Sequence, residues 1–285
     1  MSKTTASLGL LLVTIIWGTT FTFSKIALNY LSPATLLFIR YGIATLLLFS
    51  YYLFFQKRER LSQALVKGGL LGLLNFIALR TQTVGLLYTT ATNAAFITAT
   101  SVLLVPLIEW LIFRKKINIK IIGGIVLGAS GLYLLVMPGG WQATLNLGDL
   151  LVLICALTYA FQISLIPRLS KGFSTMEITL AFLLLTTLPN IWGLEIPTWM
   201  NFVSSLGPVL YLATLGTVLT IYLQIHCQKI VTPVSAGFTY LLEPVFGFIF
   251  AALVLGERLT TIPLIGAIFI VSSTMLVNFE GFRKK

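Results

Sequence analysis

The stretch TATNAAF at 90–96 returns as TPVSAGF at 232–238, so that Thr90, Ala94 and Phe96 fall on Thr232, Ala236 and Phe238. The same shift of 142 positions lays Gln82 on Gln224 and Gly124 on Gly266. Self-similarity at a fixed offset means that one structural unit occurs twice, over 1–140 and 141–285. Each copy holds an odd number of apolar segments. Two copies of an odd-numbered membrane unit insert with opposite orientation, and inverted repeats of that kind let one central site face alternate sides of a bilayer.

Apolar residues make up 57% of the chain and charged residues only 9%, against about 25% charged in an ordinary soluble domain. Such a chain cannot present a polar surface to water. Runs near the ~20 residues that cross a hydrocarbon core lie at 7–28, 33–55, 64–85, 90–113, 118–137, 148–168, 174–194, 203–226, 232–254 and 262–279. They are continuous Leu/Ile/Val/Phe stretches rather than short alternations, so helices and not barrel strands satisfy the backbone within each segment. The expected fold is all-α: a polytopic membrane protein of ten transmembrane helices in two inverted five-helix repeats. The first run follows only Lys3, is long enough to span and leads at once into a second, which reads as a retained helix and not a cleaved signal. Connections are short, the longest around Gln56–Gln63 and Pro138–Leu147, which leaves no inserted soluble domain.

A net charge of +11 would suggest a nucleic-acid partner in a soluble protein, but here its distribution decides. If the N-terminus is cytoplasmic, the inside segments hold Lys3, Lys57, Arg58, Arg60, Lys67, Arg114, Lys115, Lys116, Lys120, Arg168, Lys171, Lys229, Arg283, Lys284 and Lys285, fifteen of the nineteen basic residues. The opposite connections hold Arg258, while Lys25, Arg40 and Arg80 lie in or at the ends of helices. The positive-inside rule therefore places both termini in the cytoplasm, with no nucleic-acid role; the compact loops favour a bacterial inner (cytoplasmic) membrane, with a eukaryotic organelle membrane as the alternative. Cys155 and Cys227 lack a CxxC spacing, and His226 and Cys227 are adjacent on one helix and point apart. No metal and no cofactor are expected. The glycine-containing GLLGLL and IIGGIV lack the Lys-Ser/Thr ending of a nucleotide loop, so ATP does not drive the protein directly.

The segments IIWGTTFTFSKIAL (15–28), SPATLLFIRYGIATLLL (32–48), TNAAFIT (92–98) and LEPVFGFIFAALVLGERL (242–259), in this order and spacing, resemble the drug/metabolite transporter superfamily, specifically its EamA-type ten-helix carriers. The resemblance covers nearly the whole chain. Val102 and Lys115 stand in the first repeat where the second has Pro244 and Glu257, which breaks the symmetry of the fourth and ninth segments. The resemblance implies export of small metabolites, with amino acids, aromatic ones included, prominent among substrates. It also implies a cavity surrounded by the first four helices of each repeat, with the fifth and tenth at the periphery. The small-residue face of Gly123, Gly124, Gly128 and Gly131 suits such peripheral packing.

A mid-bilayer site calls for polar and aromatic side chains that would be wasted on lipid. Trp17 corresponds to Tyr159, Asn75 to Thr217, Gln82 to Gln224 and Asn93 to Ser235, all away from the interfacial ends. The amides Asn75, Gln82, Asn93, Gln162 and Gln224 each donate and accept, which fits a zwitterionic substrate. The competing role is interhelical hydrogen bonding, worth about 0.6 kcal/mol per bond. Trp17, Phe21, Phe96, Tyr159, Tyr222 and Tyr240 can wall a pocket for flat or cationic groups, with plain core packing as the alternative. Arg40, two turns into the second helix, can bind a carboxylate, or neutralise helix C-terminal carbonyls near the mouth together with Lys25. Glu243, beside Pro244 at mid-helix, can carry a proton or meet an ammonium, or be hydrogen-bonded within the bundle. Glu109 reads as an interfacial ion pair beside Arg114 and Phe113, and Glu257 with Arg258 as an outer turn.

These observations favour a secondary carrier exporting amino acids or similar metabolites by alternating access. Its partners are a small-molecule substrate, the lipid bilayer and, through Glu243, protons, and the chain is expected to act as a monomer or weak dimer. Nucleosides and organic cations or drugs are alternative cargoes. A membrane-embedded enzyme is disfavoured because the acids are scattered, and a channel because no ring of identical charges exists.

Overall fold

The computed structural model describes residues 1–55, 61–89, 91–136, 146–255 and 261–278. Its regular structure, among these residues, is helical throughout. The helices are α1 (Lys3–Leu28), α2 (Pro33–Phe55), α3 (Leu61–Gly85), α4 (Ala91–Leu111), α5 (Ile119–Val136), α6 (Leu147–Leu169), α7 (Thr175–Thr187), α8 (Trp199–Ala213), α9 (Thr220–Gln228), α10 (Pro233–Tyr240), α11 (Glu243–Leu255) and α12 (Thr261–Asn278). Joined by a π turn at Thr214–Leu219, α8 and α9 make one crossing, Trp199–Gln228; α10 and the start of α11 make another, Pro233–Phe250. Nine crossings are long and apolar enough to span among the described residues, and the shorter Thr175–Ile191 supplies the tenth. An even number of crossings puts both chain ends on one face, here called the terminus face, opposite the far face.

The seventh crossing is shorter than the expected 174–194 because Pro189 tightens its end into a 3₁₀ turn, Leu188–Ile191, and Gly193 then turns the chain at φ 81°. The ninth is broken rather than continuous. Pro244 has no N–H for the carbonyl four residues back, so α10 ends at Tyr240 and α11 begins at Glu243. Thr90, Lys57, Arg58, Arg60, Glu257, Arg258, Arg283, Lys284 and Lys285 lie outside the described residues, and so do the roles assigned to them above.

The repeats interleave. The main packing partners of α3 are α6 and α7, of α4 are α6 and α10, of α1 are α8 to α11, and of α5 is α12, whereas neighbours within a repeat touch sparsely. These pairings map onto one another under the 142-residue shift, as a two-fold axis in the membrane plane requires. Thr45 and Thr187, equivalent positions, hydrogen-bond to each other at 3.1 Å and so mark that axis. At the periphery, Ser273 donates to the Gly124 carbonyl at 2.7 Å, and a Cβ on Gly131 would meet the Gly266 carbonyl oxygen at 2.7 Å. Since Gly124 corresponds to Gly266 and Gly131 to Ser273, the α5–α12 seam repeats the symmetry, with backbones as close as only small residues allow.

The outside of the bundle is apolar: Phe54, Val66, Ile119 and Ile268 are exposed, a surface that belongs in hydrocarbon. Trp192, Ile196 and Trp199 form an exposed band at the far face, where indoles suit the headgroup region. Two core clusters flank the centre, one around Leu10, Val105 and Phe238, the other around Tyr41, Leu71 and Phe182, and Trp17 packs against both.

Candidate functional site

Between these clusters lies a cavity of about 580 Å³, within the range of small-molecule pockets. Its lining is one-sided. On α1 it runs from Trp17 to Ser24, on α3 from Asn75 to Gln82 with Thr83 and on to Leu86, and at the far face it reaches Val136 and Pro263. Towards the terminus face no lining residue among those described lies beyond Trp17, Tyr41, Asn75, Val102, Ile163, Gln224 and Tyr240. The cavity therefore extends from mid-membrane to the far face and stops short of the other.

Nine of the expected site residues meet here: Trp17, Phe21, Arg40, Asn75, Gln82, Tyr159, Gln162, Tyr240 and Glu243. Three do not, for reasons of helix rotation at about 100° per residue. On α4 the cavity face is Ala95, Thr98, Ala99 and Val102, so Asn93 and Phe96 are turned away, and Phe96 packs against Ala94, Ile97 and Val152. On α9 the cavity face is Ile221 and Gln224, and Tyr222 instead stacks on His226 with ring centroids 5.9 Å apart. Tyr41, Thr98 and Ser101 also line the cavity. Tyr41 follows Arg40 in sequence, and Thr98 and Ser101 are the 142-residue counterparts of Tyr240 and Glu243, a register from which they could have been found.

Arg40 is buried, and its cost at mid-membrane, about 2.5–3.5 kcal/mol, is offset locally. Nε donates to Thr217 Oγ1 at 2.8 Å and Nη2 to the Gly216 carbonyl at 3.0 Å, and the guanidinium lies 5.3 Å from the Tyr41 ring centre. Both acceptors belong to the π turn, whose Gly216 carbonyl also takes the Thr220 hydroxyl at 2.9 Å. Arg40 thus binds a mid-span carbonyl, not helix ends near the mouth, and Lys25 is exposed away from it. Nη1 makes no hydrogen bond among the described residues.

Glu243 opens α11 where α1 crosses it. A Cβ on Gly18 would meet Gly247 N at 2.9 Å and the Glu243 carbonyl at 3.0 Å, so glycine beside Trp17 is what lets the two backbones touch. Tyr159 lines the same cavity as Arg40 and Glu243. Trp17 and Tyr240 pack with ring centroids 5.3 Å apart.

Three of the amides are hydrogen-bonded within the protein. Asn75 donates to Tyr41 Oη at 3.1 Å, Gln82 to Thr98 at 2.9 Å and Gln162 to the Leu71 carbonyl at 3.0 Å. Gln224 is different: its Oε1 and the Tyr240 hydroxyl are buried with no hydrogen-bond partner.

Below the cavity, Arg168 of α6 pairs with Glu109 of α4 through two bonds, at 2.8 and 2.9 Å, and lies 3.5 Å over the Phe113 ring centre. Glu109 therefore pairs across the bundle and not with Arg114, whose backbone turns away at φ 52°. Lys229 donates to the Phe173 carbonyl and to Thr175 at 2.8 and 2.9 Å, and burial draws its ammonium below the usual lysine range.

The EamA-like transporter family model matches the chain twice, over residues 4–137 and 146–279. An uncharacterized transporter of Archaeoglobus fulgidus is 33% identical, the match covering 96% of this chain and 86% of that protein. An S-adenosylmethionine/S-adenosylhomocysteine transporter of Chlamydia muridarum is 26% identical, covering 94% and 90%, and one of Chlamydia trachomatis is 24% identical, covering 94% and 88%. A solved crystal structure shares the fold with a TM-score of 0.78 at 16% identity, covering 99% of each chain.

Proposed function

The chain belongs to the EamA-like transporter family, and on that premise we propose that it is a secondary carrier moving small metabolites with an amino-acid head by alternating access. The observation that carries this reading is the charge inventory of the cavity. Among the described residues Arg40 and Glu243 are its charged lining side chains, one suited to a carboxylate and the other to an ammonium. In this reading Arg40 offers Nη1 to the carboxylate, Glu243 faces the ammonium or carries a proton, and Tyr159 bridges the two. Trp17, Phe21 and Tyr240 wall the side-chain space, while Asn75, Gln82 and Gln162 hold the helices around it. The Chlamydia relatives support it, because both compounds in their name have an amino-acid head.

The basic residues Lys3, Lys67, Lys115, Lys116 and Lys171 at the terminus face support a cytoplasmic position for both termini, in an inner membrane. With that orientation the cavity faces outward, as one of the two states of an exporter acting as a monomer or weak dimer.

The test is counterflow in proteoliposomes preloaded with unlabelled phenylalanine, threonine or S-adenosylhomocysteine, following uptake of the labelled compound. Saturable exchange of at least one is expected. Folded protein that exchanges none of them, but exchanges nucleosides or simple organic cations, overturns the amino-acid-head reading.

A further inference from the structure

Resting on the amino-acid-head reading, we infer that Gln224, backed by Tyr240 and Trp17, is a second recognition point that takes the edge of a planar heteroaromatic group of the adenine kind. Gln224 is 2% exposed and Tyr240 3% exposed, and both line the closed end of the cavity. Both belong to the cavity wall, and Gln224 Oε1 and the Tyr240 hydroxyl are each buried without a hydrogen-bond partner. A buried polar atom left unpaired costs about 1–3 kcal/mol, so the bundle alone would be more stable with this pair closed.

The first repeat shows the closed form. At the equivalent positions Gln82 donates to Thr98 at 2.9 Å, so that amide and hydroxyl are paired with each other. In the second repeat tyrosine replaces threonine, and its ring tilts at 49° against Trp17 instead. What remains is an amide acceptor beside a hydroxyl, next to an indole that lines the cavity. A glutamine amide pairs bidentately with an exocyclic amine and the neighbouring ring nitrogen of adenine, and the indole supplies a stacking surface. Arg40 and Glu243 are left to hold the amino-acid head. A small amino acid fills only the head position, whereas a compound with an amino-acid head at one end and an adenine-like base at the other fills both.

The experiment measures equilibrium binding to the full-length protein in lipid nanodiscs. The ligands are S-adenosylhomocysteine, S-inosylhomocysteine, which has a ring oxygen substituent in place of the exocyclic amine, and methionine, which has the head without the base. The parent protein is expected to prefer the adenosyl over the inosyl compound by about tenfold to a hundredfold. That ratio collapses towards one in Gln224→Met, and a ratio within one variant is insensitive to the fraction of protein folded. If Gln224→Met yields no folded protein, Gln224→Leu is the substitute, with the same collapse expected. No preference in the parent, a preference retained in the variant, or binding of methionine without the adenosyl compound overturns the subsite and leaves the head reading standing. Binding of none of the three overturns both.

Discussion

Arg168 and Glu109 are joined by a two-pronged ion pair, 2.8 and 2.9 Å, that ties α6 to α4 on the side where the cavity ends. The side chain of Glu109 is only 6% exposed and that of Arg168 30%, so solvent screens the pair incompletely. Phe113 beneath the guanidinium adds a cation–π contact.

Glu109→Gln is expected to loosen this closure. Removing one charge of a partly buried pair costs about 1–3 kcal/mol, enough to shift a two-state equilibrium by roughly fivefold to a hundredfold. Spin labels at positions 110 and 171, with Cys155 and Cys227 replaced, should show a longer-distance population grow. An unchanged distance distribution would show that the pair does not govern the closure.

For Arg40, geometry matters more than charge. Its fork reaches Thr217 and Gly216 at once, which a lysine ammonium cannot reproduce. Arg40→Gln and Arg40→Lys should both reduce counterflow at least about tenfold, a loss of about 1.4 kcal/mol or more in carboxylate binding. Near-parent exchange in Arg40→Lys would leave only a point charge at work.

Glu243→Gln separates exchange from coupling. Counterflow, which needs no net proton movement, is expected to fall as the ammonium loses its anionic partner but to stay measurable through Arg40, while uphill accumulation driven by a pH gradient is lost. Uphill transport that survives the substitution removes this carboxyl from any coupling role.

The peripheral seam should matter for stability and not for substrate. A Cβ on Gly266 would run into the Leu135 backbone nitrogen and the Gly131 carbonyl, so Gly266→Val is expected to destabilise by about 1–3 kcal/mol. Gly207, with nothing within 4 Å of an added Cβ, serves as the control: Gly207→Ala should leave the melting temperature close to the parent's. Equal melting temperatures for the two variants would contradict the close approach of α5 and α12.

The repeat register and the apolar runs were enough to predict the helical bundle, and the same register pointed to Trp17, Tyr159 and Gln82. Rotation about the helix axes was not legible. Tyr222 and Gln224 are two residues apart and equally polar in prospect, yet only the packing of α9 against α1 and α7 turns Gln224 inward. The π turn left no trace either: the partner that takes its Gly216 carbonyl, Arg40, is distant in sequence. Glu109 and Arg168 are 59 residues apart, and sequence proximity favoured the wrong arginine. Whether an amide serves the fold or the cavity rested on single bonds, such as that from Gln162 to Leu71, which composition cannot foresee.

The self-paired threonines at the axis, Thr45 and Thr187, carry a consequence for how the two halves can trade places. If each repeat adopts the other's present arrangement, the contact now made by residues 109 and 168 passes to positions 251 and 26, an alanine and an isoleucine. No charge pair can form there. One latch is then ionic and the other greasy, so added electrolyte weakens the first and spares the second. If the carrier works by that exchange, the balance between its two orientations would depend on ionic strength on one side of the membrane alone.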